Sequence, residues 1–133
     1  MVLGVQKPTV VLADDHVAVL ERVSQLLRED YEVVAAVPDG SAAVAAVAQH
    51  KPDIVVLDIA MPVLGGIEAA RQMVAAGSDS SIIFLTVKED PEYMQAATAL
   101  GALYLLKPHM YLDLPRALDA VVADRRRASA SSK

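Results

Sequence analysis

Polar groups stand where short apolar runs end. Asp58 follows Ile54-Val55-Val56-Leu57 and precedes Ile59-Ala60-Met61-Pro62. Asp14 and Asp15 follow Thr9 to Ala13 (TVVLA), Thr86 follows Ile82 to Leu85 (IIFL), and Lys107 follows Leu103 to Leu106 (LYLL). Carboxylates gathered at one place repel. At about 5 Å and an effective dielectric near 20, each pair costs roughly 3 kcal/mol. A proton or a cation must offset that. Mg2+ prefers oxygen ligands and often takes one or two carboxylates plus phosphate. Lys107 adds a positive charge and Thr86 a hydroxyl donor. A carboxylate nucleophile, a hard divalent ion, an ammonium and a hydroxyl are the parts needed to receive a phosphoryl group. That reaction is governed by positioning and charge neutralisation, and an Asp can be its nucleophile, forming an aspartyl phosphate. Any one of these residues alone reads as a turn former or a surface charge. Their shared place at strand ends favours the joint reading.

The elements must bring those ends together. Runs this short, apolar and next to turn signals read as buried parallel strands. Glu32 to Val37 (EVVAAV) is a further strand, closed by Pro38-Asp39-Gly40. Helical spacing follows each strand: Val19, Leu20, Val23, Leu26 and Leu27; the Ala/Val stretch Ser41 to Gln49; Ile67, Ala70 and Val74, stopping near Gly77 as a C′ residue. Asp90-Pro91 reads as an N-cap and first-turn pair. Asp113 reads as the cap of a last helix in which Leu114, Leu118, Val121 and Val122 face inward, with Pro115 tolerated in its first turn. Strand and helix alternate as in repeated βαβ units. The expected fold is α/β: a doubly wound, five-stranded parallel sheet in the flavodoxin-like order 2-1-3-4-5. That order sets the polar strand ends side by side, on the edge where ligand crevices form. The second strand, ending at Val37-Pro38 without such a group, is then an outer one. Met1 to Pro8 reads as a lead-in, 9–127 as one domain, and 128–133 (ASASSK) as a disordered tail.

Composition bounds the partners. The 133 residues are 54% apolar, enough for the core of one domain. No apolar run approaches the about 18 residues of a membrane span, and Met1 to Pro8 lacks a signal-peptide core. There is no Cys, which excludes disulfides and fits a cytoplasmic protein. The net charge of −5 argues against nucleic-acid binding by this domain alone. Arg125-Arg126-Arg127 reads as a solvated helix end. His16, His50 and His109 read as surface residues rather than ligands.

The set Asp14-Asp15, Asp58-x-x-Met61-Pro62 with Gly66 and Glu68, Thr86, and Lys107-Pro108 resembles the receiver domain of two-component response regulators. The resemblance covers about Thr9 to Ala123. Asp14-Asp15-His16 and Gly66-Ile67-Glu68-Ala69-Ala70 look most like the NarL/FixJ-type subfamily, which usually carries a C-terminal helix-turn-helix domain. No such domain lies within these 133 residues; with one in a full-length protein, the output would be regulation of transcription through DNA. The resemblance implies a signalling domain rather than an enzyme. Asp58 would accept phosphate from a sensor histidine kinase. Mg2+ would be held by Asp15, Asp58 and the Ala60 backbone carbonyl, with Asp14 acting through water. Lys107 would pair with phosphoryl oxygens, and Thr86 would hydrogen-bond one of them. Tyr104 would be the aromatic whose rotamer follows phosphorylation, and a homodimer could depend on that switch. The Lys107-Pro108 bond is expected to be cis.

Two departures stand out. The family's Gly-Ala-x-Gly-Tyr pattern is here Gly101-Ala102-Leu103-Tyr104, one residue short, which implies a tighter or earlier turn. Val87 follows Thr86 where a smaller residue is common, which implies narrower access. A second function class is a Mg2+-dependent phosphohydrolase with an Asp nucleophile, but such enzymes carry Asp-x-Asp after the first strand and a cap domain. Nucleotide or flavin binding lacks a Gly-x-Gly-x-x-Gly or Walker A loop.

Overall fold

The structure is a computed structural model, and it describes residues 6–131. Met1 to Val5, part of the expected lead-in, and 132–133 lie outside the described residues. The strands are β1 (Thr9–Ala13), β2 (Glu32–Val37), β3 (Ile54–Leu57), β4 (Ser81–Thr86) and β5 (Leu103–Leu106). The helices are α1 (Val17–Leu27), α2 (Gly40–His50), α3 (Gly66–Ala75), α4 (Pro91–Ala99) and α5 (Met110–Ser131). The strands form one parallel sheet in the order β2-β1-β3-β4-β5, as the sequence implies.

Alternation along the strands sends side chains to two cores. Val11, Ala13, Val55, Leu57 and Phe84 pack with Ala43, Ala46 and Val47 of α2, Ala69, Ala70 and Met73 of α3, and Ala97 of α4. Val10, Leu12, Ile54, Val56, Ile83 and Leu85 pack with Val23 and Leu27 of α1 and Met110, Leu114 and Leu118 of α5. Both faces of β3 are covered, which is why its four residues are all apolar and all buried.

Helix ends are closed locally. Asp39 accepts from Ala42 N–H and caps α2, and Asp90 accepts from Glu92 and Tyr93 N–H to cap α4. Gly77 after α3 and Gly101 after α4 have φ of +85° and +72°. At α4 the Gly101 N–H donates to Thr98 and the Ala102 N–H to Ala97; at α3 Gly77 donates to Val74 and Ser78 to Met73. Both are Schellman turns. The one at Gly101 explains how the shortened pattern still delivers Tyr104 to β5, paired with Phe84.

Three expectations fail around the last helix. No peptide bond among the described residues is cis, so Lys107–Pro108 is trans. A trans bond carries the chain from β5 into a 3-10 turn at Lys107–His109, whose Pro108 has the fixed φ suited to a first turn. That turn runs straight into α5, which begins at Met110, so Asp113 lies in its first turn rather than capping it. Pro115 therefore sits beyond the first turn, where it has no N–H to donate to the carbonyl of Tyr111. Finally, α5 continues through Ser131 instead of giving way to a disordered tail at Ala128. Ala is the strongest helix former, and the last core contacts of α5 already fix its axis.

An acidic pocket at the carboxyl edge of the sheet

Asp58 and Asp14 are the residues just past β3 and β1. The Asp58 N–H donates to the Ala13 carbonyl at 2.9 Å, and the Asp14 N–H to the Val37 carbonyl at 3.0 Å. The sheet ladder thus extends one residue beyond each strand and fixes both carboxylates at the edge. They are 5% and 4% exposed. Lys107, the residue after β5, reaches across with its Nζ 2.7 Å from Asp14 Oδ2 and 3.1 Å from Asp58 Oδ2. The other Asp58 oxygen, Oδ1, accepts from the Ile59 N–H at 2.7 Å. The other Asp14 oxygen accepts from the His16 N–H at 2.9 Å. Both buried carboxylates are therefore satisfied on both oxygens. Burial alone would lower the Lys107 pKa. The hydrogen bonds and charges of Asp14 and Asp58 outweigh it and hold the ammonium above the ordinary lysine value.

Asp15 is more exposed and turns its carboxylate to the same place. Its Oδ1 lies 3.2 Å from His16 Nδ1, and Asp14 Oδ1 lies 3.1 Å from the same nitrogen. Ligand atoms of Asp14, Asp15, His16 and Asp58 all fall within 4.8 Å of one another. His16 is a surface residue, as its sequence position implies, but its ring faces the acids. His50 and His109 are exposed.

Thr86 ends β4 and is 3% exposed. Its Oγ1 lies at 3.5 Å from the Lys88 N–H, while the Tyr104 hydroxyl donates to the Lys88 carbonyl at 2.5 Å. Thr86 and Tyr104 therefore meet at one peptide segment rather than touching each other. Val87 is largely exposed. Desolvation raises the Tyr104 pKa above its ordinary value, so the hydroxyl keeps its proton for this bond.

The loop from Asp58 to Gly65 is held by two glycines. A Cβ on Gly66 would stand 2.0 Å from the Asp58 carbonyl oxygen, and one on Gly40 would stand 2.1 Å from the Leu64 carbonyl oxygen. In their place the Gly66 N–H donates to Ile59 and the Gly40 N–H to Leu64. Between them, the Leu64 N–H donates to the Pro62 carbonyl at 2.7 Å across Val63, whose φ is +69°. Ala60 opens this loop, exposed, two residues after Asp58.

Residues 10–119 match the family described as the response regulator receiver domain. The chain belongs to this family. It is 34% identical over 123 residues to the transcriptional regulatory protein PdtaR of Mycobacterium tuberculosis, covering 91% of this chain and 60% of that protein. Its fold is similar to a LuxR-family two-component response regulator of Aurantimonas sp. SI85-9A1. There the identity is 31%, the TM-score 0.82, and the match covers 90% of this chain and 87% of that one. It is also similar to the receiver domain of the response regulator NarL from Mycobacterium tuberculosis. That match has 28% identity and a TM-score of 0.82, covering 87% of this chain and 97% of that one. The chain spans about half the length of most curated relatives it matches. The relatives agree with the NarL-type resemblance, and the family is one of receivers, not phosphohydrolases.

The receiver's acidic cluster has the donor set of a Mg2+ site. Three of its four members are carboxylates, the oxygen ligands that a hard divalent ion takes. The structure brings Asp14, Asp15, Asp58 and Lys107 together as the sequence implies. It leaves the Thr86 hydroxyl turned to Lys88. Several supporting groups escape a reading of the sequence. The Ile59 N–H is backbone, Gly40 is remote in sequence, and Lys88 acts only through its main chain. Arg125 of the basic triplet is not a solvated helix end: it donates to the Asp79 carbonyl and Ser81 and lies 3.6 Å from Asp53, at the amino edge of the sheet. No helix among the described residues is long and apolar enough to cross a membrane.

Proposed function

We propose that this receiver is cytoplasmic and accepts a phosphoryl group on Asp58 from a sensor histidine kinase, with Mg2+ bound in the acidic cluster. The observation that carries the reading is the convergence of Lys107 Nζ on Asp14 and Asp58 at 2.7 and 3.1 Å, in a buried crevice at the strand ends. Asp58 is held by its Oδ1 bond to Ile59, so its carboxylate is already oriented. An Asp58 oxygen forms a bond to phosphorus as the phosphorus–nitrogen bond of a phosphohistidine breaks, and the released imidazole takes up a proton. Lys107 lies where its ammonium can pair with the incoming phosphoryl oxygens. Thr86 offers its hydroxyl to one of them from the next strand. Asp15, Asp58 and the Ala60 carbonyl would hold the ion, with Asp14 acting through water. Bound Mg2+ supplies positive charge that offsets the carboxylates and the phosphoryl group.

Thr86 and Tyr104 form the switch in this reading. Turning the Thr86 hydroxyl toward the phosphoryl group takes it from the Lys88 N–H, whose own carbonyl holds Tyr104. The same event thereby reaches the β5 face and any homodimer formed there. PdtaR is a transcriptional regulatory protein, so we extend the proposal to regulation of transcription as the output of the whole protein, with DNA contacted outside this acidic domain.

The test is intact-mass measurement after incubation with Mg2+ and a small phosphodonor. Wild type gains one phosphoryl group and Asp58→Asn gains none. An unchanged gain in that variant overturns the assignment.

A further inference from the structure

The Arg125-Arg126-Arg127 triplet is followed by Ala128 and Ser129, so Ser129 has arginines two, three and four residues before it. These residues belong to the last turns of α5. Among the described residues Leu118 is the last buried one of the helix, and Arg126 to Ser129 are all exposed. Arg127 pairs with Asp124 of its own helix, an exposed pair that water screens. An exposed helix end opens locally at little cost, which lets it lie extended in another protein's cleft. Serine/threonine kinases choose substrates partly by charge pattern. Arginines just before the serine suit a kinase whose cleft is lined with carboxylates.

A short motif recurs by chance, and the fold supplies a second observation. Ser129 lines an open groove at the amino edge of the sheet together with Lys7, Lys51, Arg125 and Arg126, and with Asp53 and Asp79. Cations thus outnumber carboxylates there, in a chain whose net charge is −5. Asp53 is already engaged: its Oδ2 accepts from the Thr9 N–H and hydroxyl, and its Oδ1 stands 3.6 Å from Arg125. Arg125 and Arg126 precede Ser129 by the two spacings at which helical side chains meet. The groove therefore has the charge to receive a dianion on that serine. Without such cations, the macrodipole would disfavour a phosphate at a helix C-terminus.

We propose that Ser129 is a phosphorylation site for an arginine-directed serine/threonine kinase, and that the phosphoserine docks in the basic groove and fastens the end of α5 to the amino edge of the sheet. The Ser129 oxygen forms a bond to the γ-phosphorus of ATP as the bond to the β–γ bridging oxygen breaks. ADP leaves, and the hydroxyl proton passes to the kinase's base. The site lies at the opposite edge of the sheet from Asp58, so this second input acts on α5 independently of the acidic pocket.

The experiment incubates the 133-residue chain with such a kinase and Mg-ATP, and follows intact mass, peptide mapping and amide hydrogen exchange. The expected result is one stable phosphoryl group on Ser129, absent from Ser129→Ala and retained in Asp58→Asn. In the phosphorylated wild type, amides of α5 beyond Leu118 exchange about two- to fivefold more slowly than before. Lys51→Asn suits the left-handed backbone at that position, φ +46°, but lacks the charge. Once phosphorylated, that variant shows no added protection. No phosphoryl group on Ser129, one that leaves exchange unchanged or faster, or equal protection in Lys51→Asn overturns the inference. Each of these outcomes leaves the Asp58 assignment standing, because that is read from Asp58→Asn with a small phosphodonor.

Discussion

Removing the Lys107 ammonium leaves two buried carboxylates facing each other, and only backbone N–H groups and His16 remain to satisfy them. Breaking a buried pair in this way costs about 3–5 kcal/mol because the remaining charge has lost its partner. We expect Lys107→Ala to lower unfolding free energy by about 3 kcal/mol without divalent ions. Millimolar Mg2+ should restore part of that loss, since it binds only the folded site. Urea unfolding with and without Mg2+ checks this, and an equal loss in both buffers refutes it. The direction of the pKa shift sets the pH window. A lysine raised in the folded state contributes stability that is complete below its unfolded pKa of about 10.4 and is lost as pH climbs through the higher folded value. The gap between wild type and Lys107→Ala should therefore be constant near neutrality and narrow only in strong alkali.

The loop between β3 and α3 shows how an element can be assembled against its own sequence. Val63 is β-branched, 82% exposed and at φ +69°, the middle of a three-residue turn closed by Leu64 N–H on the Pro62 carbonyl. A turn of that hand is rare and strained, and left-handed backbone costs an L-residue about 1–2 kcal/mol. The conformation persists because Gly40 and Gly66 clamp both sides of the loop. Val63 buries little, so Val63→Gly loses no packing and relieves the strain, less the greater entropy Gly loses on folding. We expect that variant to be more stable by up to about 1 kcal/mol. Thermal unfolding measures it, and a lowered midpoint would show that the valine is at ease there.

At the scale of the molecule, the proposed switch would join the site to the β5 face through the contacts of Thr86 and Tyr104 with Lys88. A phosphoryl group offers Thr86 a charged acceptor, and hydrogen bonds to charged groups are worth roughly 1.5–3 kcal/mol. A ligand shifts a conformational equilibrium only by such a difference, here about 10- to 150-fold in population. Amide chemical shifts with and without beryllofluoride test this in wild type and Thr86→Ala. We expect changes around Lys88, Tyr104 and α4 in wild type and their loss in the variant. Identical changes in both proteins mean that Thr86 is not the link.

The alternation of elements was legible in the sequence because it depends on local patterning, and the strand order and the gathering of Asp14, Asp15, Asp58 and Lys107 follow once that alternation is matched to a doubly wound parallel sheet. Branched apolar runs make strands, Asp39 and Asp90 mark helix starts, and parallel topology places every strand's end on one edge. What depends on contacts between distant residues was not legible. The trans Lys107–Pro108 bond and the early start of α5 follow from how β5 hands the chain to Met110. The length of α5 exceeds what its Ala/Ser tail suggests, because a helix anchored by Leu114 and Leu118 need only propagate. Gly40 reads as an ordinary turn glycine until Leu64 is packed against it. His16 reads as a surface residue, and the sequence places it beside the acids along the chain. Its ring contacts are with those same neighbours, 3.1 Å from Asp14 and 3.2 Å from Asp15; what only the tertiary structure decides is that Asp58 and Lys107, far along the chain, close on the same carboxylates.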